Sequence, residues 1–121
     1  MAHLINLPTY TDARGSLTVI EKVIPFEIKR IFYIYGVDDS IRGGHMHKTT
    51  YQAAICLKGS CRFQNNNGVS KINYILDDPS KCLIINPEDW HTMDHFSPDA
   101  VLMVLASTEY SVDDYIYTPY S

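Results

Sequence analysis

His45-Met46-His47-Lys48-Thr49-Thr50-Tyr51-Gln52-Ala53-Ala54-Ile55-Cys56-Leu57-Lys58-Gly59 is the stretch that decides the fold class. It carries no apolar period of 3.6 residues. Thr49 to Leu57 reads as a strand, and Lys58-Gly59 turns the chain out of it. On a strand, successive side chains point to opposite faces, so His45 and His47 share a face and stand about 6–7 Å apart. Two imidazoles are thereby aimed at one spot, with Arg42 and Lys48 beside them. Histidine exchanges protons near neutrality and is also the commonest metal ligand. Proton transfer and metal binding are therefore the two chemistries that the pair offers.

Working outward, the chain reads as strand after strand. Leu17 to Glu21 follows the turn Asp12-Ala13-Arg14-Gly15, and Ile28 to Tyr35 is rich in β-branched and aromatic residues up to Gly36. Beyond Gly59-Ser60 comes Cys61-Arg62-Phe63, and Asn65-Asn66-Asn67-Gly68 ends in Asn-Gly, a strong hairpin signal. Val69 to Leu76 and Lys81 to Asn86 flank the turn Asp77-Asp78-Pro79-Ser80; Pro87-Glu88-Asp89 leads to Trp90-His91, and Ala100 to Ala106 is a solid apolar strand. About eight strands at 8–12-residue spacing predict an all-β fold of two antiparallel sheets, a jelly roll with almost no helix. His3 falls in what reads as a frayed end.

The 121 residues set one domain, 1–121, with 45% apolar and 20% charged residues, as in a globular protein. The net charge of -4 argues against nonspecific nucleic-acid binding, so an anionic ligand needs a local basic cluster. No apolar run is long enough to span a membrane, and the start lacks a signal-peptide core. Cys56, Cys61 and Cys82 cannot all pair within one chain. Cys56 and Cys61 flank a turn and invite a strained local bridge, but free buried thiols in a reducing cytoplasm are the plainer expectation.

Four residues separate His47 from Gln52 and six separate Gln52 from Gly59, a spacing that resembles the first motif of the cupins, small jelly rolls of the double-stranded β-helix type. Pro87 to His91 resembles the second cupin motif. In metal-binding cupins three histidines and a glutamate hold the ion. Gln52 stands at the glutamate position, and a neutral amide is a poor divalent-ion ligand. A metal reading would rest on His45, His47 and His91 with water.

A narrower resemblance spans nearly the whole chain. Asp12-x-Arg14-Gly15-x-Leu17, Lys29-Arg30-x-Phe32-Tyr33, Arg42-Gly43-x-His45-x-His47-Lys48, Pro87-x-x-Trp90-His91 and Tyr110-x-x-x-Asp114-Tyr115-Ile116 follow one another in that order. Together they resemble the cupin-type (WxcM-like) sugar 3,4-ketoisomerases, which act on dTDP-4-keto-6-deoxyglucose. The resemblance implies a homodimeric cytoplasmic isomerase that needs no metal or other cofactor, with a dTDP-sugar as its partner. Its product would be a dTDP-3-keto-6-deoxyhexose for the deoxysugars of surface polysaccharides, lipopolysaccharide or S-layer glycans. Gly44 departs from the family pattern, where a larger residue would shape the pocket's floor, and the stretch Tyr117 to Ser121 is shorter than the family's. An epimerase among the related dTDP-sugar cupins, and a non-catalytic sugar- or metal-binding cupin, are the alternative readings.

Moving a ketone from C4 to C3 removes a proton from C3 and returns one to C4 through an enediol. That needs two titratable groups a few Å apart. The resemblance assigns His47 as the base at C3 and His45 as the relay. Tyr33 and Tyr35 share one face of their strand, so a tyrosine hydroxyl is expected in the same cavity, and Tyr33 is assigned to the substrate oxygen. Arg14, Arg30 and Arg42 are candidates for the diphosphate or the enediolate, since guanidinium matches phosphate bidentately. Tyr35, Gln52, Trp90 and Tyr115 complete the expected substrate-binding set.

Overall fold

The computed structural model describes residues 1–121 and contains twelve strands: β1 (His3–Asn6), β2 (Thr9–Asp12), β3 (Gly15–Thr18), β4 (Arg30–Ile34), β5 (Arg42–His47), β6 (Gln52–Lys58), β7 (Cys61–Asn66), β8 (Lys71–Leu76), β9 (Lys81–Ile85), β10 (Trp90–Asp94), β11 (Val101–Ala106) and β12 (Tyr115–Ile116). A 3₁₀ turn at Val112–Asp114 is the only helical element. Two five-stranded sheets, ordered β1-β9-β6-β11-β4 and β12-β5-β10-β7-β8, form the body. Every pairing is antiparallel, as expected for the jelly roll. Strands β2 and β3 pair only with each other, in an exposed hairpin.

Both faces of the first sheet are covered over β6, β9 and β11. Leu83, Ile85, Leu102 and Val104 pack inward against Phe63, Leu76 and Met93 of the second sheet. Ala53, Ile55, Ile84 and Leu105 pack outward under Ile20, Val23, Ile24 and Phe26, which lie in the segment between β3 and β4. Strands buried on both sides need no polar alternation, which is why β9 and β11 read as solid apolar runs. In the second sheet β7 does alternate, with Cys61, Phe63 and Asn65 inward.

Four strands exceed the eight expected from sequence. His3 is not in a frayed end: β1 pairs with β9 from His3↔Ile84 to Asn6↔Lys81, and Ala2 beside it is buried. The Asn-Gly hairpin joins β7 to β8 as expected, with the Asn67 side chain accepting from the Val69 and Ser70 amides. All three cysteines are free and buried.

Strand β5 is short of β-formers and is held by a local device. Gly43 has φ +83°, and a Cβ there would lie 2.9 Å from the His91 carbonyl oxygen. Only glycine permits this approach of β5 to β10, next to the register shift between His91 and Thr92. Gly44, expected to shape the pocket's floor, has no atom within 4 Å of a built Cβ, so it is Gly43 that lines the cavity.

Candidate active site

Sheet register assembles the site. His45 on β5 lies opposite His91 on β10, and His47 lies opposite Tyr115 on β12. The ring centroids of His45 and His47 are 5.1 Å apart, as are those of His45 and His91; Tyr115 stands 4.9 Å from His45 and 4.6 Å from His47. A cavity of about 160 Å³ opens here between the sheets. Arg42, His45, Gln52, His91 and Tyr115 line it, over an apolar floor that includes Phe63, Ile85 and Val104. His47 abuts the same cluster and is 3% exposed.

The three imidazoles are not equivalent. Burial pushes His45 down to about 4, helped by His47 beside it. Burial pushes His91 down to about 3, although a hydrogen bond between its Nδ1 and the Asp89 carbonyl oxygen opposes the shift. His47 is also lowered by burial, but the Asp114 carboxylate, with Oδ2 2.9 Å from His47 Nδ1, works the other way. His47 Nε2 is buried and has no hydrogen-bond partner. Burial alone would raise Asp114, yet hydrogen bonds from Thr50, Thr49 and His47 hold it well below the usual carboxylate range. The sequence shows Asp114 within Tyr110-x-x-x-Asp114-Tyr115-Ile116 but gives it no role. Its partner is 67 residues away, and no local pattern announces such a contact.

The other expected residues divide. Arg30 is near the cluster: its guanidinium lies 5.5 Å from the Phe32 ring centre and 5.6 Å from that of Tyr110, and its Nε is buried without a partner. Arg42, Gln52 and Tyr115 line the cavity. Tyr33 and Tyr35 do not, because β4 turns Phe32 and Ile34 inward instead. The two tyrosine rings stack on each other on the outer side, 63% and 69% exposed. Trp90 is also outside the cavity, since His91 takes the inward position and neighbours on a strand face opposite ways. It lines a shallower outer cleft with Gln64, Asn66, Lys71, Asn73 and Thr92. That cleft is larger, about 450 Å³, but holds no histidine or carboxylate and so offers no proton chemistry near neutrality. Arg14 sits in the turn of the β2–β3 hairpin, bound to Asp12 at 2.7 Å, with its side chain 90% exposed. Within one chain it is not part of the site. No group of three or more His, Cys, Asp or Glu side chains is arranged to hold a metal ion.

The fold is thus a jelly roll whose cavity between the sheets is lined by imidazoles and a phenol. The family model described as "WxcM-like, C-terminal" matches residues 1–121. The chain is 45% identical over 116 residues to the TDP-4-oxo-6-deoxy-alpha-D-glucose-3,4-oxoisomerase of Aneurinibacillus thermoaerophilus, covering 93% of this chain and 84% of that protein. The chain belongs to the WxcM-like sugar 3,4-ketoisomerases. Among solved members, a 3,4-ketoisomerase from Helicobacter canadensis superposes with a TM-score of 0.92 at 42% identity, over 97% of this chain and 90% of that one. A single-site mutant of the ketoisomerase from Thermoanaerobacterium thermosaccharolyticum, in complex with TDP-4-keto-6-deoxyglucose, gives 0.93 at 42% identity, over 97% and 87%. In this ketoisomerase family member, as in an isomerase generally, the cavity has to move protons without net oxidation. No helix is long and apolar enough to cross a membrane.

Proposed function

We propose that the protein converts dTDP-4-keto-6-deoxyglucose into a dTDP-3-keto-6-deoxyhexose by acid–base proton transfer through an enediol. The observation that carries this reading is the pair His45 and His47, 5.1 Å apart, with the buried Nε2 of His47 left unpartnered. In the proposed reaction His47 Nε2 takes the C3 proton, which the neighbouring C4 carbonyl acidifies. Electron density moves onto the C4 oxygen, where the Tyr115 hydroxyl donates a hydrogen bond. The C3 hydroxyl proton passes to the C4 oxygen, and C4 takes a proton from His45. His47, 5.1 Å away, reloads His45 with the proton it removed from C3. One C–H and one O–H bond break, one of each forms, and no co-reactant is consumed.

Tyr115 takes the place given to Tyr33 by sequence, because Tyr115 packs against both histidine rings. The cavity of about 160 Å³ is smaller than the roughly 300–1,000 Å³ of pockets that enclose a drug-sized ligand. It accommodates the sugar and leaves the nucleotide nearer the mouth, where Arg30 and Arg42 meet the diphosphate. Arg14 contacts substrate only if a second subunit brings its hairpin to this mouth, in the homodimer that we propose. Three free buried thiols suit the cytoplasm, where we place the enzyme and its sugar-nucleotide pathway for surface polysaccharide.

The test is exchange. In D₂O the protein should wash deuterium into C3 of dTDP-4-keto-6-deoxyglucose and form the 3-keto product, both read by NMR. His47→Asn should slow both by about 10²-fold or more. If the variant exchanged C3 at the wild-type rate, His47 would not be the base.

A further inference from the structure

We propose that Asp114 is the positioning residue of the proton-transferring pair: its carboxylate takes the Nδ1 hydrogen of His47, fixes that ring with Nε2 as the free lone pair, and makes His47 the imidazole that stores the proton. This rests on the function proposed above and adds to it the group that tells the two histidines apart.

The carboxylate is held from several sides. Oδ1 accepts from the Thr49 amide and hydroxyl, each at 2.8 Å, and Oδ2 accepts from the Thr50 hydroxyl and faces His47 Nδ1 at 2.9 Å. The Thr50 hydroxyl is itself 2.7 Å from that of Thr108. The backbone is pinned as well, with the Lys48 amide donating to the Asp114 carbonyl and the Asp114 amide to that of Ser111. A carboxylate so restrained cannot swing away to solvent, and it accepts only. The hydrogen between it and His47 must therefore sit on Nδ1, which leaves Nε2 as a base.

Neither neighbour has this support. His91 Nδ1 meets only a neutral backbone carbonyl, and no carboxylate contacts His45. The titratable and charged groups facing His47 are His45 on β5, His91 on β10, Arg30 on β4, Tyr115 on β12 and Asp114 itself. Asp114 is the one anion among them. Positive charge on His47 is therefore offset by a charge at hydrogen-bond distance, whereas on His45 or His91 it meets other imidazoles and low-dielectric packing. A carboxylate in the same relation to a histidine base elsewhere is worth about 10⁴-fold in rate, through tautomer and imidazolium stabilisation.

Asp114 also ties β12 to the start of β6, so the test needs readouts that a structural strut would not move. The first uses unliganded wild type: ¹⁵N NMR of the His47 ring at neutral pH should show hydrogen on Nδ1. Hydrogen on Nε2 would overturn the proposal without any variant. The second is Asp114→Asn, which keeps the size and an acceptor for Thr49. Its C3 exchange should fall by about 10²-fold or more, and the protonation midpoint of His47 should drop toward that of His45. Asp114→Glu should recover part of both losses. An Asn variant with unchanged circular dichroism, exchange within about threefold of wild type and an unmoved His47 midpoint would remove Asp114 from this role. If wild type itself failed to exchange C3, the functional reading would fall, while the ring NMR would still decide the pair.

Discussion

Acid should weaken this fold through His91, and the size of the effect follows from its surroundings. The ring is 2% exposed and lies nearly parallel to Phe63, with centroids 6.1 Å apart. Folded, it is held at about 3; in the unfolded chain it returns to its ordinary value of 6.5. Because the folded value is the lower one, the unfolded chain takes up a proton as pH falls below 6.5 and the folded chain does not. Stability is therefore unaffected above 6.5 and declines as pH falls from there toward 3. Between pH 6.5 and about 4.5 the difference in proton binding amounts to on the order of 2 kcal/mol. That is a large share of the roughly 5–15 kcal/mol that holds a domain together. The assay is urea unfolding of wild type and His91→Asn at a series of pH values and one fixed protein concentration. The Asn amide can still donate to the Asp89 carbonyl, and it does not titrate. The variant should be less stable at pH 7 because the ring's packing is lost. Its further loss on acidification to about pH 4.5 should be smaller than that of wild type by about 2 kcal/mol. His45 contributes in the same direction in both proteins. Equal losses in the two proteins, within about 0.5 kcal/mol, would refute the reasoning and imply that His91 charges readily inside the fold.

Two further outcomes are expected. Tyr115→Phe keeps the ring against His45 and His47 but removes the hydroxyl, so kcat should fall about 10²-fold with stability changed by less than about 1 kcal/mol, whereas Tyr33→Phe on the outer face should leave kcat unaltered. Sedimentation at micromolar concentration should give a dimer, since Ile31 and Tyr33 form an exposed apolar strip on β4, an unpaired edge strand at 58% and 63% exposure; a wild-type monomer would end the dimer proposal.

Much of the fold was legible because its strands carry strong local signals. Ile28 to Tyr35, Lys81 to Asn86 and Ala100 to Ala106 contain β4, β9 and β11, and Asn-Gly marks the β7–β8 turn. Strands β1 and β5 were not announced in this way. Arg42-Gly43-Gly44-His45-Met46-His47 has two glycines and no β-branched residue, so its extended form depends on β10 and β12 pairing with it. Strand β1 likewise depends on β9, a partner more than seventy residues away. Propensity is a statement about neighbours in sequence, and these strands are made by neighbours in space.

The site was legible where the pleat alone decides and illegible where it does not. That His45 and His47 share a face is a property of any extended backbone, so the pair was readable before any fold was known. The same rule forbids Trp90 and His91 from entering one cavity together, and the structure seats the histidine inside. For β4 the rule separates Phe32 and Ile34 from Tyr33 and Tyr35, but it cannot say which pair faces the core, because both are large and apolar enough to do so. What settles it is the outer covering of the sheet: Phe26 and its neighbours lie over β6, β9 and β11, and β4 at the edge is left bare. On a bare outer face the pair with hydroxyls is the one that loses least by meeting water, so the tyrosines go out and the phenol of the site must come from another strand. Strand β12 supplies it, and with Tyr115 comes Asp114, one residue earlier in the chain and hydrogen-bonded to His47.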